Sequence, residues 1–279
     1  MRLIIREDCD AVSEYMATYI KNRILEFNPT PEKPFVLGLP TGSSPIGVYK
    51  NLVKYHKNGE LSFQNVVTFN MDEYVGLPRD HSESYHSFMW HNLFKHVDIN
   101  PKNVHILNGN AEDLEKECTD FEVSIKAAGG IELFLGAFNE PGSSLNSRTR
   151  VKTLAYDTIL ANSRFFENDI SKVPRMALTV GPNVSKKVDI ILFIVVVALT
   201  RINHMWTVSA IQNHPKALIV CDEDATLELH VKTVKYFKSI EHVIKNLIGA
   251  ENVGLQGNVK KYPTPVVTPT REEFYNLPF

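Results

Sequence analysis

The sequence predicts an α/β protein, built as a single-domain, doubly wound, mostly parallel sheet flanked by helices (Rossmann-like). Short apolar runs rich in β-branched residues alternate with segments of helical periodicity along most of the 279 residues. Because strands that alternate with helices usually run parallel, this pattern favours a sheet covered by helices on both faces.

The strands are predicted from short apolar runs. The first lies in the apolar start of Met1–Asp8, and the second is Phe35–Leu39, which prolines bound on both sides. Ile190–Leu199 is the most hydrophobic run, but it is about half as long as a membrane-spanning helix must be. It therefore predicts a buried strand at 190–198. The other candidates are 66–69, 104–107, 131–135, 176–180 and 218–221.

Helices are predicted between these strands. Val12, Met16, Ile20 and Ile24 recur at the spacing of one helix face. Similar patterns occupy 46–56, 84–94, 111–127 and 227–248. No internal repeat or low-complexity linker divides the chain, so one domain is predicted over residues 1–250. Glycines and prolines punctuate the remaining residues, and 251–279 are predicted to form an irregular tail.

The charge balance excludes some classes of partner. Lys and Arg total 30 against 32 Asp and Glu, a net charge of −2, so neither nucleic acid nor an anionic membrane is expected. Cys9, Cys118 and Cys221 are scattered and show no metal-ligand spacing, which is typical of a reducing, cytoplasmic setting. The apolar start is too short for a signal peptide.

In a parallel sheet, ligands bind beyond the carboxyl ends of the strands. After strand 35–39 come small and hydroxylated residues, Thr41, Gly42, Ser43 and Ser44, just before a helix. Backbone N–H groups that converge at a helix N-terminus favour an anion such as phosphate. The loop lacks the Lys of a Walker loop and the three-glycine dinucleotide fingerprint. The alternative is a plain helix-capping turn.

Two adjacent carboxylates, Asp72 and Glu73, come after the strand at 66–69. Successive side chains diverge on an extended chain, so only one of them is expected to face the cleft. A carboxylate in this place suits a general base that acts on a bound carbon acid. The alternative is a helix-capping acid or a surface turn.

Five stretches together resemble the signatures of glucosamine-6-phosphate deaminases. They occur in the family's order and span most of the chain, at Leu39–Pro45, Thr68–Pro78, Ala137–Pro141, Ser147–Arg150 and Asn203–Thr207. The resemblance implies an isomerase and deaminase of the hydrolase class in amino-sugar catabolism. It implies conversion of glucosamine 6-phosphate and water to fructose 6-phosphate and ammonia, without a metal or an organic cofactor.

The resemblance also implies site residues. Asp72 resembles the carboxylate that moves a proton between C2 and C1, and Glu140 resembles one member of the triad that opens the sugar ring. The phosphate would be held by Arg164 together with the loop Thr41, Gly42, Ser43 and Ser44.

Some family members are allosteric homohexamers regulated by N-acetylglucosamine 6-phosphate. The residues that match their effector site are Ser143, Arg150, Lys152, Thr153 and Tyr236. The alternative for the basic cluster Arg148, Arg150 and Lys152 is an alternating charged strand edge. His204 and Trp206 are predicted to pack in the core.

Two segments depart from the family pattern. The family carries a glycine-rich loop with Asp-Gly-His before its Ala-Phe-Asn-Glu-Pro, whereas here Gly136 runs directly into Ala137. The ring-opening His and the Asp that orients it are therefore absent, and His86 or His204 is a weak substitute. A longer segment with a phosphate-binding Lys is also missing after strand 190–198, where Arg201 could supply the cation.

The sequence leaves three hypotheses open for this chain. It is a working deaminase, or an impaired homologue that still binds sugar phosphate, or its two shortened segments are errors of a deduced sequence. A sugar-phosphate sensor without a reaction is a different class, and it would share the phosphate loop but would not need Asp72 or Glu140. The retained carboxylates favour an enzyme.

Overall fold

The structure, a computed structural model, describes residues 2–136, 140–185, 190–193 and 202–248. The strands predicted from apolar runs lie close to their predicted positions, two further strands occur at residues 72–74 and 150–153, and positions 194–198 of the predicted strand 190–198 lie outside the described residues. The strands are β1 Arg2–Arg6, β2 Phe35–Leu39, β3 Val66–Asn70, β4 Asp72–Tyr74, β5 Val104–His105, β6 Leu133–Leu135, β7 Arg150–Thr153, β8 Met176–Thr179, β9 Ile190–Phe193 and β10 Ala217–Asp222.

Helices occur in all five predicted segments, and two further short helices lie at residues 156–162 and 182–185. The helices are α1 Cys9–Phe27, α2 Ile46–Lys57, α3 Tyr85–Asn92, α4 Leu114–Ala127, α5 Tyr156–Asn162, α6 Pro182–Ser185 and α7 Val231–Ile248. α1 illustrates why the sequence folds this way locally. Asp8 caps its first turn by accepting from the N–H of Ala11 at 2.8 Å. Asn28 ends the helix in the left-handed region, with φ of 52°.

Seven strands form one parallel sheet in the order β1-β10-β9-β6-β2-β3-β5. The α/β prediction of a mostly parallel, doubly wound sheet is thus confirmed. The main core lies where α1 and α2 cover this sheet, and its fully buried members include Met16, Leu37, Tyr49 and Leu135. Burial of such side chains contributes about 1.5–3 kcal/mol each.

A second, antiparallel sheet was not predicted. It has the order β4-β8-β7, and it takes up the strand 176–180 that the sequence analysis placed in the parallel sheet. Residues 72–74 and 150–153 are mostly polar or charged and gave no apolar run. They form strands because β8 supplies backbone partners on both of its edges. The strand-edge alternative for Arg150 and Lys152 describes β7 correctly, since β7 is the outer strand of this sheet.

The chain divides into two compact units, residues 1–227 and 228–279. α7 is the described helix of the second unit. The predicted domain boundary at residue 250 stays a prediction, because the tail at 251–279 lies outside the described residues. Among the helices of the described part, none is both long and apolar enough to cross a membrane.

Gly38 lies in the middle of β2, where glycine is normally unfavourable. It pairs with Phe134 of β6, and a Cβ atom at Gly38 would lie 2.2 Å from the Cδ2 atom of the Phe134 ring. The glycine therefore makes room for the aromatic ring in the neighbouring strand.

We expect Gly38→Ala to lower the free energy of unfolding by about 1–3 kcal/mol, because the added methyl overpacks the sheet. In a Phe134→Leu background the same change should cost clearly less, since the smaller side chain leaves space. Urea unfolding of the four proteins of this cycle measures the coupling. Strictly additive losses would show that the ring is not the obstacle.

Candidate active site

The strand order reverses between β6 and β2. From β2 the chain moves outward to β3 and β5, whereas from β6 it moves in the opposite direction to β9 and β10. Loops at the carboxyl ends of two such strands diverge and leave a crevice for a ligand. The loop after β2 carries the predicted phosphate residues, and the loop after β6 leads to Glu140. The described topology therefore brings both predicted loops to one place.

The loop after β2 is shaped for close approach of an anion. Gly42 has a φ of +98°, and no atom lies within 4 Å of the position that a Cβ would take. Thr41 is half-buried, while Ser43 and Ser44 are exposed. α2 begins directly after this loop, with Pro45 at its N-cap and no side-chain cap on its first turn. The N–H of Ile46 donates to the carbonyl of Ser43 at 3.3 Å, and a helix start without a side-chain cap is suited to bind an anion.

Asp72 stands where the two sheets meet. Met71, just before it, donates its N–H to the carbonyl of Leu39 in the parallel sheet at 3.2 Å. The Met71 carbonyl accepts from the N–H of Val180, at the end of β8, at 2.7 Å. Desolvation by burial, then the charges of Glu73 and Glu140, raise the pKa of Asp72 to about 7. This carboxyl group can therefore accept and release a proton near neutral pH.

Glu73 points to the other side of β4 and is only 4% exposed. Its Oε1 accepts from the N–H groups of Tyr74 at 2.9 Å and Tyr85 at 3.0 Å, and its Oε2 accepts from that of His86 at 2.9 Å. Glu73 thus holds the first turn of α3. The expectation that only one of these two acids faces the cleft fits this geometry.

Glu140 lies within electrostatic reach of Asp72, since its charge helps to raise the pKa of that group. Its Oε2 accepts from the N–H of Ala155 at 2.8 Å, and its carbonyl oxygen accepts from Ser143 at 3.2 Å. The two carboxylates predicted to be catalytic are therefore brought together, from loops after β3 and β6.

Arg164 lies in the short 3-10 turn just after α5 and is exposed. Its guanidinium lies 4.7 Å from the centre of the Phe165 ring. The preceding segment is tied to β4, because Asn162 Nδ2 donates to the Tyr74 hydroxyl at 2.8 Å. An exposed cation on an anchored turn is available to a phosphate, but the described contacts do not join it to the Thr41–Ser44 loop.

The residues of the predicted effector site lie in both units. Arg150 Nη2 donates to the buried Ser143 Oγ at 2.8 Å, so these two are in contact. Lys152 and Thr153 come after Arg150 in β7, and alternation places Lys152 on the same face as Arg150. Tyr236 belongs to α7 in the second unit, where its ring is 53% exposed and packs edge-on against Phe237.

The prediction that His204 and Trp206 pack in the core is wrong. His204 is exposed, and Trp206 is 55% exposed. They lie in a tight turn in which Asn203 Oδ1 accepts from the backbone of Met205 and Trp206, and this turn directs both side chains outward. The carbonyl of His204 accepts from Gly142, which joins this turn to the Glu140 loop at 3.0 Å.

The sequence analysis named two further residues as possible substitutes, His86 for the missing histidine and Arg201 for the missing phosphate-binding lysine. His86 lies in the first turn of α3; burial and then Arg79 lower its pKa, and its Nδ1 has no partner within the described residues. Its position there does not make it a counterpart of a histidine after β6. Arg201 lies outside the described residues.

Sequence reasoning missed two tyrosines. Tyr49 of α2 is fully buried, and its hydroxyl donates to the carbonyl of Pro40 at the start of the phosphate loop. Tyr85 is the first residue of α3. The charge of Asp72 raises the pKa of both hydroxyls, after burial, so both lie within its electrostatic reach. Helical periodicity marks Tyr49 as a core residue, and nothing in the local pattern relates either tyrosine to Asp72.

Across the described residues, no group of three or more His, Cys, Asp and Glu side chains is arranged to hold a metal ion. The polar groups that converge are instead two carboxylates, tyrosine hydroxyls and a loop of small residues. This set is suited to proton transfer beside a bound anion.

A family model described as "Glucosamine-6-phosphate isomerases/6-phosphogluconolactonase" matches residues 7–141. The chain is 62% identical over 266 residues to human glucosamine-6-phosphate deaminase 1, covering 89% of this chain and 92% of that protein. It is 61% identical to glucosamine-6-phosphate deaminase 2 of Xenopus laevis, over 97% of that protein. The 266 aligned positions exceed 89% of the 279 residues of this chain. The alignment therefore contains gaps at which these relatives have residues that this chain lacks.

Solved structures agree with this relationship. A glucosamine-6-phosphate deaminase described as monomeric superimposes with a TM-score of 0.75 and 34% identity, over 81% of this chain and 99% of that one. A 6-phosphogluconolactonase from Leishmania guyanensis, at 15% identity, shares the fold with a TM-score of 0.61, over 82% of this chain and 99% of that one. On sequence identity over most of both chains, the protein belongs to the glucosamine-6-phosphate deaminase family.

Proposed function

We propose that the chain acts on glucosamine 6-phosphate, releasing ammonia and forming fructose 6-phosphate with water as the second substrate. One observation carries this proposal. Asp72, a carboxyl group whose pKa is raised to about 7, lies beside a phosphate-type loop at the switch point of the parallel sheet. The proposal also draws on the close similarity to deaminases named for this substrate.

The chemistry requires one group that moves a proton between neighbouring carbons. In the open-chain sugar, Asp72 takes the C2 proton and returns it to C1, while the C1 oxygen takes up a proton released by the C2 ammonium group, which leaves a hydroxyl at C1 and an iminium at C2. Water then adds at C2 and ammonia departs. A base with a pKa near neutral is efficient for this step, because it is substantially ionised at pH 7 and still gives the proton back.

The phosphate anchors the substrate away from the reacting carbons. The loop Thr41–Ser44 offers N–H groups and hydroxyls at the start of α2, and Arg164 offers a guanidinium. Tyr49 holds the carbonyl of Pro40 and lies within electrostatic reach of Asp72, so it links the anchor to the base.

Ring opening is the step that this chain supports least. The four residues between β6 and Glu140 are Gly136, Ala137, Phe138 and Asn139, and none of them titrates. Glu140 remains to act on the ring, without the family's Asp-Gly-His. We therefore propose slow turnover limited by supply of the open-chain sugar, with a loss of about 10²–10⁴-fold for the missing acid–base group.

A second candidate function is sugar-phosphate binding without turnover. The short loop after β6 favours it, because binding needs the phosphate loop but not the ring-opening group.

We also propose the finer family properties for this chain: assignment to the hydrolase class, a cytoplasmic location, assembly as a homohexamer, and regulation by N-acetylglucosamine 6-phosphate. The contact between Arg150 and Ser143 supports the effector site. The solved relative described as monomeric shows that hexamers are not universal in the family.

Replacing the base should abolish turnover. We expect Asp72→Asn to lower ammonia release from glucosamine 6-phosphate by at least about 10²-fold, because the amide cannot accept the C2 proton. Glu83→Gln, a nearby acid before α3, is the matched control and should retain parent activity. Full activity of Asp72→Asn would remove Asp72 from the mechanism. No release by the parent, with glucosamine 6-phosphate still raising Tm, would select the binding function.

Restoring the loop after β6 should raise the rate. We expect insertion of the family's Asp-Gly-His loop between Gly136 and Ala137 to raise kcat by about 10²–10⁴-fold. An insertion in which that His is replaced by Gln controls for loop length and should give little gain. The transcript sequence across Gly136–Ala137 and Val180–Asn203 tests independently whether these segments are absent from the gene product. An equal gain from both insertions would contradict an acid–base role.

Arg164 should contribute to phosphate affinity. We expect Arg164→Ala to weaken the binding of glucosamine 6-phosphate by about 10- to 100-fold, the worth of one charge-assisted hydrogen bond. The matched control is Arg175→Ala, another exposed arginine just before β8. Ligand titrations monitored by thermal shift provide the comparison, with unphosphorylated glucosamine as a second control. Equal weakening by both variants would indicate a nonspecific effect of surface charge.

A further inference from the structure

Glu73 is a buried acid that the proposed reaction does not use. Its carboxylate accepts three hydrogen bonds. One comes from the N–H of Tyr74 in its own strand, and two come from the N–H groups of Tyr85 and His86 in the first turn of α3 and join β4 to that helix. Ser84 caps the same turn, since its Oγ accepts from the N–H of Ser87 at 3.0 Å. The start of α3 is thus fixed from two sides, and the contacts that fix it relative to β4 are the Glu73 hydrogen bonds and the packing of the Tyr85 ring on Tyr74.

Tyr74 and Tyr85, which these contacts hold, lie near Asp72. Side chains two positions apart in a strand share a face, so Tyr74 lies on the same face of β4 as Asp72, opposite to Glu73. The Tyr74 and Tyr85 rings pack with their centres 4.6 Å apart, and the charge of Asp72 acts on both hydroxyls. Asn162 Nδ2 donates to the same Tyr74 hydroxyl at 2.8 Å.

We propose that Glu73 is a positioning residue for Asp72: its carboxylate clamps the first turn of α3 to β4, which holds the packed rings of Tyr85 and Tyr74 beside the base. The inference rests on the proposed role of Asp72. Glu73 acts through α3 and through its own charge, and it does not touch the reacting atoms.

The charge of Glu73 gives this role a measurable consequence. The charged groups that act on Asp72 are Glu73 and Glu140, and both raise its pKa. Arg79 faces Glu73 and, together with the three N–H donors, opposes the rise in pKa that burial causes in Glu73. Loss of the Glu73 charge should therefore lower the pKa of Asp72.

The pKa of Asp72 can be read from stability, without turnover. Because the folded state raises this pKa above the unfolded value of about 3.9, the ionised group destabilises the fold increasingly as pH rises from about 4 to about 7. The gain in Tm from Asp72→Asn should therefore grow over this window and level off near pH 7. In a Glu73→Gln background it should level off about 0.5–1 pH unit lower.

The experiment measures the gain in Tm that Asp72→Asn gives, at half-unit steps from pH 4.5 to 9, in three backgrounds: parent, Glu73→Gln and Glu83→Gln. The pH at which this gain stops growing is called the levelling pH. We expect the levelling pH to move only with Glu73→Gln. An unchanged levelling pH, or an equal change with Glu83→Gln, would overturn the proposal. Failure of the proposed function would appear separately, as unchanged ammonia release in Asp72→Asn.

Glu73→Asp is measured in parallel, since loss of the charge can prevent folding. It keeps the charge but is one methylene too short for the clamp. We expect the amides of Tyr85 and His86 to exchange with deuterium at least ten-fold faster than in Glu83→Gln, while the levelling pH moves less than in Glu73→Gln. Unchanged exchange at these two amides would overturn the clamp.

Discussion

The burial of the Asp72 carboxyl group at the junction of two sheets is the constraint on which the site depends. Met71 is bonded to Leu39 of the parallel sheet and to Val180 after β8, so the next residue along the chain has little freedom to move toward water. Burial is the first cause of its raised pKa, and two neighbouring acids add to it. A polar group kept in such a place lowers stability, and it persists because the surrounding strands determine its position.

The small antiparallel sheet is the device that places the site residues. The register aligns Asp72 of β4, Thr179 of β8 and Arg150 of β7 across three strands. Directly opposed side chains share a face, so the proposed base and the proposed effector residue Arg150 belong to one short cross-strand row. Arg150 in turn contacts Ser143, whose N–H donates to the carbonyl of Glu140. Arg150 and Ser143 are therefore joined to Glu140 by direct contacts.

The short loop after β6 affects the proposed ring-opening step but not the proposed phosphate anchoring or proton transfer. The proposed phosphate anchor and the proposed proton transfer at C2 draw on the loop after β2 and on β4, which are both described. Ring opening draws on the loop after β6, where the residues before Glu140 have no titratable side chain. Under the proposed function, the chain therefore keeps the residues for phosphate anchoring and proton transfer, while its turnover is limited by the supply of open-chain sugar.

The parallel sheet, its covering helices and the positions of the phosphate loop, Asp72 and Glu140 were predictable from the sequence, because apolar periodicity and strand-end motifs are local signals. The order of strands that makes β2 and β6 neighbours came only from the fold. The same holds for the three-stranded sheet, whose polar strands β4 and β7 exist because β8 lies between them. Glu73, Tyr49 and Tyr85 acquired their relation to Asp72 in the same way: burial, hydrogen-bond partners and the pKa of a carboxyl group depend on atoms distant in sequence, and no local pattern encodes them.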